Sequence, residues 1–389
     1  MSLHPYKARE LFDAIVNQED FILLDVRNNK DFTRFHVEGP NPFTMINVSY
    51  YDFMELEEES VAKVPRDKPV RIVCAQEGSA KYVGEILVKH GFDSVSYLED
   101  GIKSWGNVLV PMLVHKTGGY ALYQLIRPGK ASCSYALSHG KEMMLFDPSR
   151  NVNFYLDFAA QQGCMITKTF ETHLQADYIA GSRDIARKTG AIFLGNDGDF
   201  KDSKNDYQPL KDGEIIKFST GGPAVRVFFS PGHTPGSTSF IVDERFFISG
   251  DTVFINSVGR PDLGGKAEAW AGMLFDSIQK VKKLDQGLVV LPGHFTDWAE
   301  ANDQLIFALP LGEVLRRNQN IYNLAGKEEF TAFIRANMRP QPEEYATIRE
   351  VNANVIQEDD EKQEVLDLGK NECAASAYAA QQQAQGAQA

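Results

Sequence analysis

The chain has 389 residues, of which 43% are hydrophobic and 24% charged, so it is long enough for two domains and has the composition of a folded protein. Its 40 lysine and arginine residues stand against 53 aspartate and glutamate residues, which gives a formal net charge of −13. A surface this acidic repels nucleic acid and anionic lipid, and the longest apolar run, residues 108–114, is too short to span a bilayer, so we expect no nucleic-acid or membrane partner.

The first part of the chain alternates between predicted helices and strands. Helical spacing of apolar residues predicts helices over 8–16 and 81–89. Apolar runs predict strands over 21–27 and 70–74, and a third strand followed by a turn over 94–101. Strands separated by helices are typical of a small parallel α/β sheet.

The segment 109–119 mixes Gly, Pro and apolar residues, which predicts a linker. The part of the chain that follows it has a different pattern of predicted elements. Helices are predicted there over 153–162, 177–188 and 267–283. Strands follow one another closely in this part, within the segments YALYQLIRP, SYALSH, EMMLFDP, VRVFFSPG, SFIVD, RFFISGD and LVVLPGH.

The carboxyl-terminal part is predicted to be a helical extension over 316–372, with helices at 328–337 and 342–352. An acidic run follows at 358–364. The last residues, 373–389, are rich in Ala and Gln, and this low complexity predicts a disordered tail.

Several predicted strands end in small residues beside His or Asp. Such strand ends meet at one edge of an α/β sheet, where loops carry chemistry, and Gly neighbours let a backbone approach a metal closely. The segments ETHLQADYIAG, SPGHTPGS, SGDTVF and LPGHF offer the candidate ligands His173, Asp177, His233, Asp251 and His294.

The order and spacing of these residues resemble the signature of the metallo-β-lactamase superfamily, H-x-H-x-D-H followed by a later His, a bridging Asp and a last His. The resemblance covers about residues 120–303 and implies an αββα sandwich over 120–315. Gln175 stands where the second His of the signature is expected, and Tyr178 where the third is expected. Because each half of a two-zinc site then lacks an imidazole, the set needed by a two-zinc hydrolase is incomplete.

His173, His233 and Asp251 survive from the signature. Two imidazoles and one carboxylate, with open positions opposite, form the ligand set of non-heme Fe(II) oxygenases. In this superfamily the same positions are the iron site of the persulfide dioxygenases, and the segment GDTVFINSVGRPDLGG (250–265) looks like that branch and the neighbouring glyoxalase II branch. The resemblance implies one Fe(II) ion per chain, with Zn as the alternative because the affinity order alone favours zinc.

Five further residues are candidates for contact with the metal ligands or the substrate. Asp177 either caps the helix it opens or hydrogen-bonds a metal ligand, and Gln175 either ligates weakly or binds a metal-bound water. His294 is either an unused ligand or a substrate contact. Arg260 either braces the metal loop or contacts substrate. Tyr178 is a further candidate for contact with the metal ligands or the substrate. We expect structural roles for the other histidines of these regions, namely His36, His90, His115 and His139.

Four widely spaced cysteines indicate no disulfide framework, and the amino terminus, MSLHPYKARELF, has no apolar signal core, so we expect a cytoplasmic protein with reduced thiols. Cys74 lies between a predicted strand and a helix, where loop amides and the helix N-terminus favour a thiolate and bind an anionic donor. The alternative is an inert, buried Cys74. We expect Cys133 and Cys164 to be inert as well, and Cys373, beside the tail, to have no role.

The segments LLDVRNNKDFTRFHVEG, VCAQEGSAKYV and SYLEDGIKSW resemble a single rhodanese domain over residues 1–108. Rhodanese is a sulfurtransferase, so the resemblance implies that Cys74 carries sulfane sulfur as a persulfide. Many rhodaneses have Gly and Arg where this chain has Glu77 and Ser79. A carboxylate beside a thiolate raises its pKa and repels thiosulfate, so we expect weaker or altered transfer. The loop consists of Cys74, Ala75, Gln76, Glu77, Gly78 and Ser79.

Together the two resemblances imply a persulfide dioxygenase fused to a rhodanese. The expected partners are a small persulfide, dioxygen, and glutathione or another small thiol, with self-association left open. Two alternatives remain. One is a zinc thioesterase of the glyoxalase II type. Gln175 and Tyr178 argue against it, because each replaces a histidine of the two-zinc site. The other is a catalytically silent sulfur carrier or adaptor, against which the surviving His173, His233 and Asp251 count.

Overall fold

The computed structural model describes residues 3–261, 267–337, 341–371 and 373–375 of the chain. Backbone contacts divide the chain into two units. The first consists of Met1–Val110, Arg127–Lys130 and Leu368–Lys370, and the second of Pro111–Ile126, Ala131–Asp367 and Asn371–Ala389.

The first unit is built on a five-stranded parallel sheet with the strand order β1-β5-β4-β2-β3, which confirms the predicted α/β class. Its elements are β1 (His4–Tyr6), α1 (Ala8–Val16), β2 (Ile22–Asp25), α2 (Asn29–Arg34), β3 (Thr44–Asn47), α3 (Tyr50–Glu55), α4 (Glu57–Ala62), β4 (Val70–Val73), α5 (Glu77–Lys89), β5 (Val95–Leu98) and α6 (Ile102–Asn107).

The central strands of this sheet are apolar because helices cover both faces of a parallel sheet. All four residues of β2 are buried, although the last of them is a carboxylate, Asp25. The buried Arg27 offsets that charge, since its Nη2 lies 2.6 Å from Oδ2 of Asp25. The same Nη2 donates to the carbonyl of Phe35, so this ion pair also fixes the chain that follows β2.

The second unit contains thirteen strands and nine α-helices among its described residues. In chain order they are β6 (Val110–Lys116), β7 (Ala121–Arg127), β8 (Ser132–His139), β9 (Glu142–Phe146), α7 (Val152–Gln161), β10 (Met165–Phe170), α8 (Ser182–Thr189), β11 (Ile192–Gly195), α9 (Asp197–Phe200), β12 (Gln208–Pro209), β13 (Ile215–Phe218), β14 (Gly221–Phe229), β15 (Thr238–Val242), β16 (Phe246–Gly250), α10 (Ala267–Val281), β17 (Val289–Pro292), β18 (Leu309–Pro310), α11 (Leu311–Arg317), α12 (Gln319–Tyr322), α13 (Lys327–Asn337), α14 (Glu344–Asn352) and α15 (Asp360–Asp367), with a 3-10 turn at Trp298–Glu300.

These strands form two mixed sheets, of seven strands (β12-β11-β10-β9-β8-β7-β6) and six strands (β13-β14-β15-β16-β17-β18). The rings of Phe146 and Phe170, in the first sheet, lie 5.2 and 5.1 Å from the ring of Phe240 in the second, so the sheets pack face to face. Helices α7 and α8 pack on the outer face of the first sheet, and α11 packs on β17 of the second. The predicted αββα sandwich is therefore confirmed.

Several segments differ from the sequence prediction. Residues 109–119, predicted as a linker, are largely the edge strand β6, because their apolar residues extend the seven-stranded sheet beside β7. The helix predicted over 177–188 begins only at Ser182, since the preceding residues leave β10 and turn into the site described below. Strands β10 to β13 have no counterpart in the prediction. Lysine and threonine interrupt the apolar pattern of β10 and β13, and β11 and β12 are only four and two residues long.

The predicted carboxyl-terminal helices correspond to α13 and α14, and most of the acidic run lies in α15. Residues 373–375 of the predicted disordered tail have defined positions, while 376–389 lie outside the described residues, as does 262–265 of the segment GDTVFINSVGRPDLGG. Within the described part of the chain, no helix is both long enough and apolar enough to cross a membrane.

Candidate metal centre

The candidate ligands lie just beyond the carboxyl ends of four strands in the second unit. Strand β10 leads to His173, β14 to His233, β16 to Asp251 and β17 to His294. Strands β14, β16 and β17 run in the same direction, so their ends meet at one edge of the six-stranded sheet. The sequence analysis expects these side chains to lie together for this reason, and they lie together in the structure.

His173, His233 and Asp251 form a buried triad. The Nε2 atoms of His173 and His233 lie 3.9 and 3.4 Å from Oδ2 of Asp251, and the two imidazole rings are 4.7 Å apart at right angles. Each side chain is at most 2% exposed. Among the described residues, none of these three atoms has a hydrogen-bond partner.

Three buried polar atoms without partners would be costly in a folded protein unless a cation binds them. Burial, and then the neighbouring His233, lower the pKa of His173 to about 3, so its ring is neutral at pH 7. Burial also lowers the pKa of His233. Neutral imidazoles and an ionised carboxylate are the forms that ligate a metal, so these residues fit a divalent cation.

The other ring nitrogens of the two histidines are held by contacts that fix the tautomer. The Thr172 backbone N–H and hydroxyl both donate to the carboxylate of Asp147, at 2.7 and 2.8 Å. The Thr172 hydroxyl has used its proton, so it accepts from Nδ1–H of His173 at 2.8 Å. Nδ1–H of His233 donates to the carbonyl of Arg260 at 2.7 Å. In both rings the proton on Nδ1 leaves the lone pair of Nε2 for the metal.

Thr172→Val is expected to lower metal affinity by about 10–100-fold, because it keeps the shape of the side chain and removes the hydroxyl that fixes His173. The measurement is competition with a chelator, and Thr189→Val is the control, since its hydroxyl bonds only backbone groups at the end of α8, the carbonyl of Ile185 and the N–H of Ala191. Equal affinities for the two variants would show that His173 is oriented without this contact.

His294 lies between two carboxylates. Its Nδ1 is 2.7 Å from Oδ1 of Asp251, and its Nε2 is 2.9 Å from Oδ2 of Asp177. Burial opposes a charged ring here, but Asp251 and Asp177 outweigh it and raise the pKa of His294 to about 10. His294 thus orients the carboxylate of Asp251. Asp177 contacts His294 and does not cap a helix, because α8 begins five residues later.

The two positions that depart from the family signature are both buried. Gln175 lines a small cavity with Glu171 and His173, and Tyr178 Oη donates to the carbonyl of Asp147 at 3.3 Å. Arg260 contributes backbone contacts to the site, since its N–H donates to the carbonyl of Cys373 and its carbonyl accepts from His233.

Sequence reasoning missed four residues at this centre: Asp147, Glu171, Thr172 and Cys373. Glu171 is buried beside Asp147, and burial together with that carboxyl raises the pKa of Glu171 well above its usual range. Cys373, expected to have no role, is 1% exposed, and its Sγ lies within 4.8 Å of ligand atoms of Asp177 and His294. Thr172 and Glu171 adjoin His173 in the sequence, but no local pattern singles out Cys373.

The candidate sulfur-transfer loop lies in the first unit. Cys74 follows β4 and is buried among the apolar side chains between β4 and α5, while Ala75, Gln76 and Gly78 are exposed. Glu77, expected to repel an anionic donor, pairs with Lys81 one turn further along α5 and accepts from the N–H of Asp100. Its charge is therefore largely offset. The half-buried Ser79 lies in the first turn of the same helix.

The remaining histidines lie outside the triad, and two have clear local partners. His90 Nε2 is 2.7 Å from a carboxylate oxygen of Glu57, and His139 Nδ1 is 2.5 Å from the carbonyl of Gly119.

An αββα sandwich with a buried His-His-Asp triad at its strand ends defines a class of metal-dependent enzymes. Comparison with family models matches residues 127–313 to the metallo-β-lactamase superfamily and residues 8–107 to the rhodanese-like domain. The hydroxyacylglutathione hydrolase of Anaeromyxobacter dehalogenans (strain 2CP-C) is 34% identical over 233 residues, which span 58% of this chain and 82% of that protein. The chain belongs to the metallo-β-lactamase superfamily and carries a rhodanese-like domain at its amino-terminal side.

Two solved structures share the fold. A metallo-β-lactamase from Staphylococcus aureus subsp. aureus COL is 25% identical, with a TM-score of 0.54 over 61% of this chain and 73% of that chain. ETHE1 from Myxococcus xanthus is 23% identical, with a TM-score of 0.52 over 60% of this chain and 98% of that chain. These likenesses agree with the fold.

Proposed function

We propose that the protein is a mononuclear non-heme iron dioxygenase that oxidises a small persulfide, such as glutathione persulfide, to sulfite and the thiol. The observation that carries this proposal is the triad of His173, His233 and Asp251, whose inward atoms have no protein partner among the described residues. When bound there, Fe(II) supplies open coordination positions at which dioxygen and the sulfane sulfur meet. Overall, one persulfide, one dioxygen and one water give one thiol, one sulfite and two protons.

The chain's own residues set the electrostatics of this site. Asp147 and Thr172 hold His173, and the carbonyl of Arg260 holds His233, so both rings stay neutral with Nε2 directed inward. His294 donates to Asp251, which keeps that carboxylate ionised and directs Oδ2 towards the imidazoles. The site is buried, which keeps bulk water away from a reactive sulfur species.

Cys74 is proposed to carry sulfane sulfur in the first unit. Its loop leads into α5, whose first-turn N–H groups have no partners within the helix and favour an anionic donor such as thiosulfate. The thiolate takes the outer sulfur of the donor as a persulfide, releases sulfite, and then passes that sulfur to a small thiol. The two units would then share one intermediate, the small persulfide.

Cys74→Ser is expected to abolish sulfur transfer from thiosulfate to glutathione and to leave oxygen uptake with added glutathione persulfide unchanged. The reason is that a hydroxyl does not form a persulfide, while the metal site lies in the other unit. Both rates are measured on the same preparation, with Cys164→Ser as the control. Full transfer by Cys74→Ser would show that the buried Cys74 is inert.

A zinc thioesterase is the second candidate, because curated relatives are named hydroxyacylglutathione hydrolase. In that reaction a metal-activated hydroxide attacks a thioester carbonyl. The replacement of two signature histidines by Gln175 and Tyr178 disfavours it, since a two-metal hydrolase needs those imidazoles.

The deciding experiment compares two reactions on the full chain, purified without oxygen and loaded separately with Fe(II) and Zn(II). We expect rapid oxygen uptake with glutathione persulfide in the iron form and little hydrolysis of a glutathione thioester in either form. Thioester hydrolysis by the zinc form without oxygen uptake by the iron form would replace the dioxygenase with the thioesterase. Metal binding without either reaction would favour the silent carrier.

A further inference from the structure

The second unit carries a cleft with a volume of about 910 Å³. It is lined by residues of α8, of the chain around β12 and of the segment that joins α14 to α15. None of the triad residues is among the described residues that line it. This volume lies within the usual range of small-molecule sites and is much larger than an inorganic ion requires. The cleft therefore has room for an organic ligand.

Two arginines of the cleft are half-buried and are held by backbone carbonyls. The side chains of Arg150 and Arg183 are 15% and 27% exposed. Nη2 of Arg150 donates to the carbonyl of Asp360 at 3.1 Å, and Nη1 of Arg183 donates to the carbonyl of Val351 at 3.0 Å. Nε of Arg150 is buried and has no partner among the described residues. Because a carbonyl is neutral and a guanidinium has five N–H donors, both arginines keep charge and donors for an anion.

Four carboxylates also line the cleft, those of Asp184, Asp206, Glu358 and Asp360. Asp360 lies 3.8 Å from Nη2 of Arg150, but its side chain is fully exposed, so solvent screens this pair. Asp184 is shared by two arginines, since its Oδ1 is 3.6 Å from Nε of Arg183 and 3.1 Å from Nη2 of Arg187. Around these three arginines, two carboxylates therefore leave a surplus of one positive charge.

Another part of the cleft is aromatic and apolar. Tyr207 lines it, and its hydroxyl donates to Oδ1 of Asp197 at 2.7 Å. Its ring lies 5.6 Å from the ring of Phe200 and 6.3 Å from that of Phe193, so the side chain is fixed at both ends. Ile192 also lines the cleft and is 44% exposed. A fixed ring and an exposed aliphatic side chain offer a surface to the flat, weakly polar part of a ligand.

We propose that this cleft binds a nucleoside phosphate, with its phosphates on Arg150, Arg183 and Arg187 and its base against Tyr207. Guanidinium groups bind phosphate with paired hydrogen bonds, and aromatic rings stack on any base. An inorganic anion would leave the apolar part of the cleft unused, and an uncharged nucleoside would leave the arginines unused. The proposal does not depend on the reaction that the triad supports.

The test is isothermal titration calorimetry of the full chain with ADP, adenosine and inorganic phosphate. We expect ADP to bind at least about 10-fold more tightly than either of the other two, because only ADP uses both parts of the cleft. His233→Ala should bind ADP as the wild type does, which separates the cleft from a metal ion at the triad. Adenosine or phosphate that bound as tightly as ADP would overturn the proposal, as would the absence of ADP binding at about 1 mM.

Three variants locate the binding. Arg187→Gln should lower ADP affinity about 10-fold, and its side chain is 76% exposed, so the change spares the fold. Its matched control is Arg316→Gln, since Arg316 is 70% exposed and likewise pairs with an acid three residues earlier. Arg183→Gln should weaken ADP binding further, with circular dichroism as the check on folding, and Tyr207→Leu should weaken the binding of ADP but not of phosphate. ADP affinity that neither arginine variant lowers would place the ligand elsewhere and overturn the proposal.

Discussion

His233→Ala is expected to lower oxygen uptake by the iron-loaded protein more than about 100-fold, together with loss of the triad's metal ion. Removing a group that merely orients a ligand costs about 10–100-fold, so loss of the ligand itself costs more. His233 is fully buried, its Nε2 is 3.4 Å from Oδ2 of Asp251, and its Nδ1 is fixed by Arg260. No neighbouring side chain of the described residues replaces it, because His294 is already engaged with Asp251.

The matched control is His139→Ala, which removes another imidazole of the same unit. That ring lies outside the triad, near the carbonyl of Gly119 and the ring of Phe218. His139→Ala should keep the activity and the metal. Added imidazole should partly restore both properties in His233→Ala by occupying the space that the side chain leaves. Unchanged activity in His233→Ala would remove the triad from the mechanism.

The fold was largely predictable because its hydrophobic pattern is local. Apolar runs such as ILLD in β2, and the helical spacing over α1, predicted elements whose positions the structure confirms. Strand β10 was missed because its sequence, MITKTF, is half polar, yet it delivers His173 to the site. The sequence predicts a linker at the edge strand β6 because glycines flank it and Pro111 lies within it, although an edge strand tolerates Pro.

The triad was predictable because its three residues follow strands whose ends meet at one sheet edge. Their partners were harder to foresee. The relay from Asp147 through Thr172 to His173 crosses from β9 to β10 and depends on the register of two strands. The PGH turn predicts that His294 lies at the site, but its hydrogen bond to Asp251 depends on the tertiary structure.

Cys373 marks the limit of reasoning from sequence. It stands next to a low-complexity tail, and no spacing relates it to the ligands more than seventy residues earlier. Its position follows from pairing between residues 373–375 and the loop 258–260, which is a contact between distant parts of the chain. Glu77 shows a second limit, because the sequence does not show that its charge is paired with Lys81 in the helix.

Gly259→Ala is expected to have the second large effect, on both the metal site and stability. A Cβ at this position would lie 1.8 Å from the carbonyl oxygen of Asp251 and 3.0 Å from Nδ1 of His233. Both neighbours are fixed, so the loop itself must move, and with it the carbonyl of Arg260 that holds His233. We expect metal affinity to fall more than about 100-fold and the free energy of unfolding to fall by about 1–3 kcal/mol.

Gly272→Ala is the matched control, because it adds the same methyl group in the middle of α10, where no atom lies within 4 Å of the new Cβ. Alanine is the better helix former by about 0.5–1 kcal/mol, so this variant should bind metal normally and resist unfolding slightly more than the wild type. Chelator competition and urea unfolding on both variants measure the two effects. If Gly259→Ala bound metal as tightly as Gly272→Ala, the loop would be free to move away from Asp251, and the close packing of the loop would not hold the metal ligands in place.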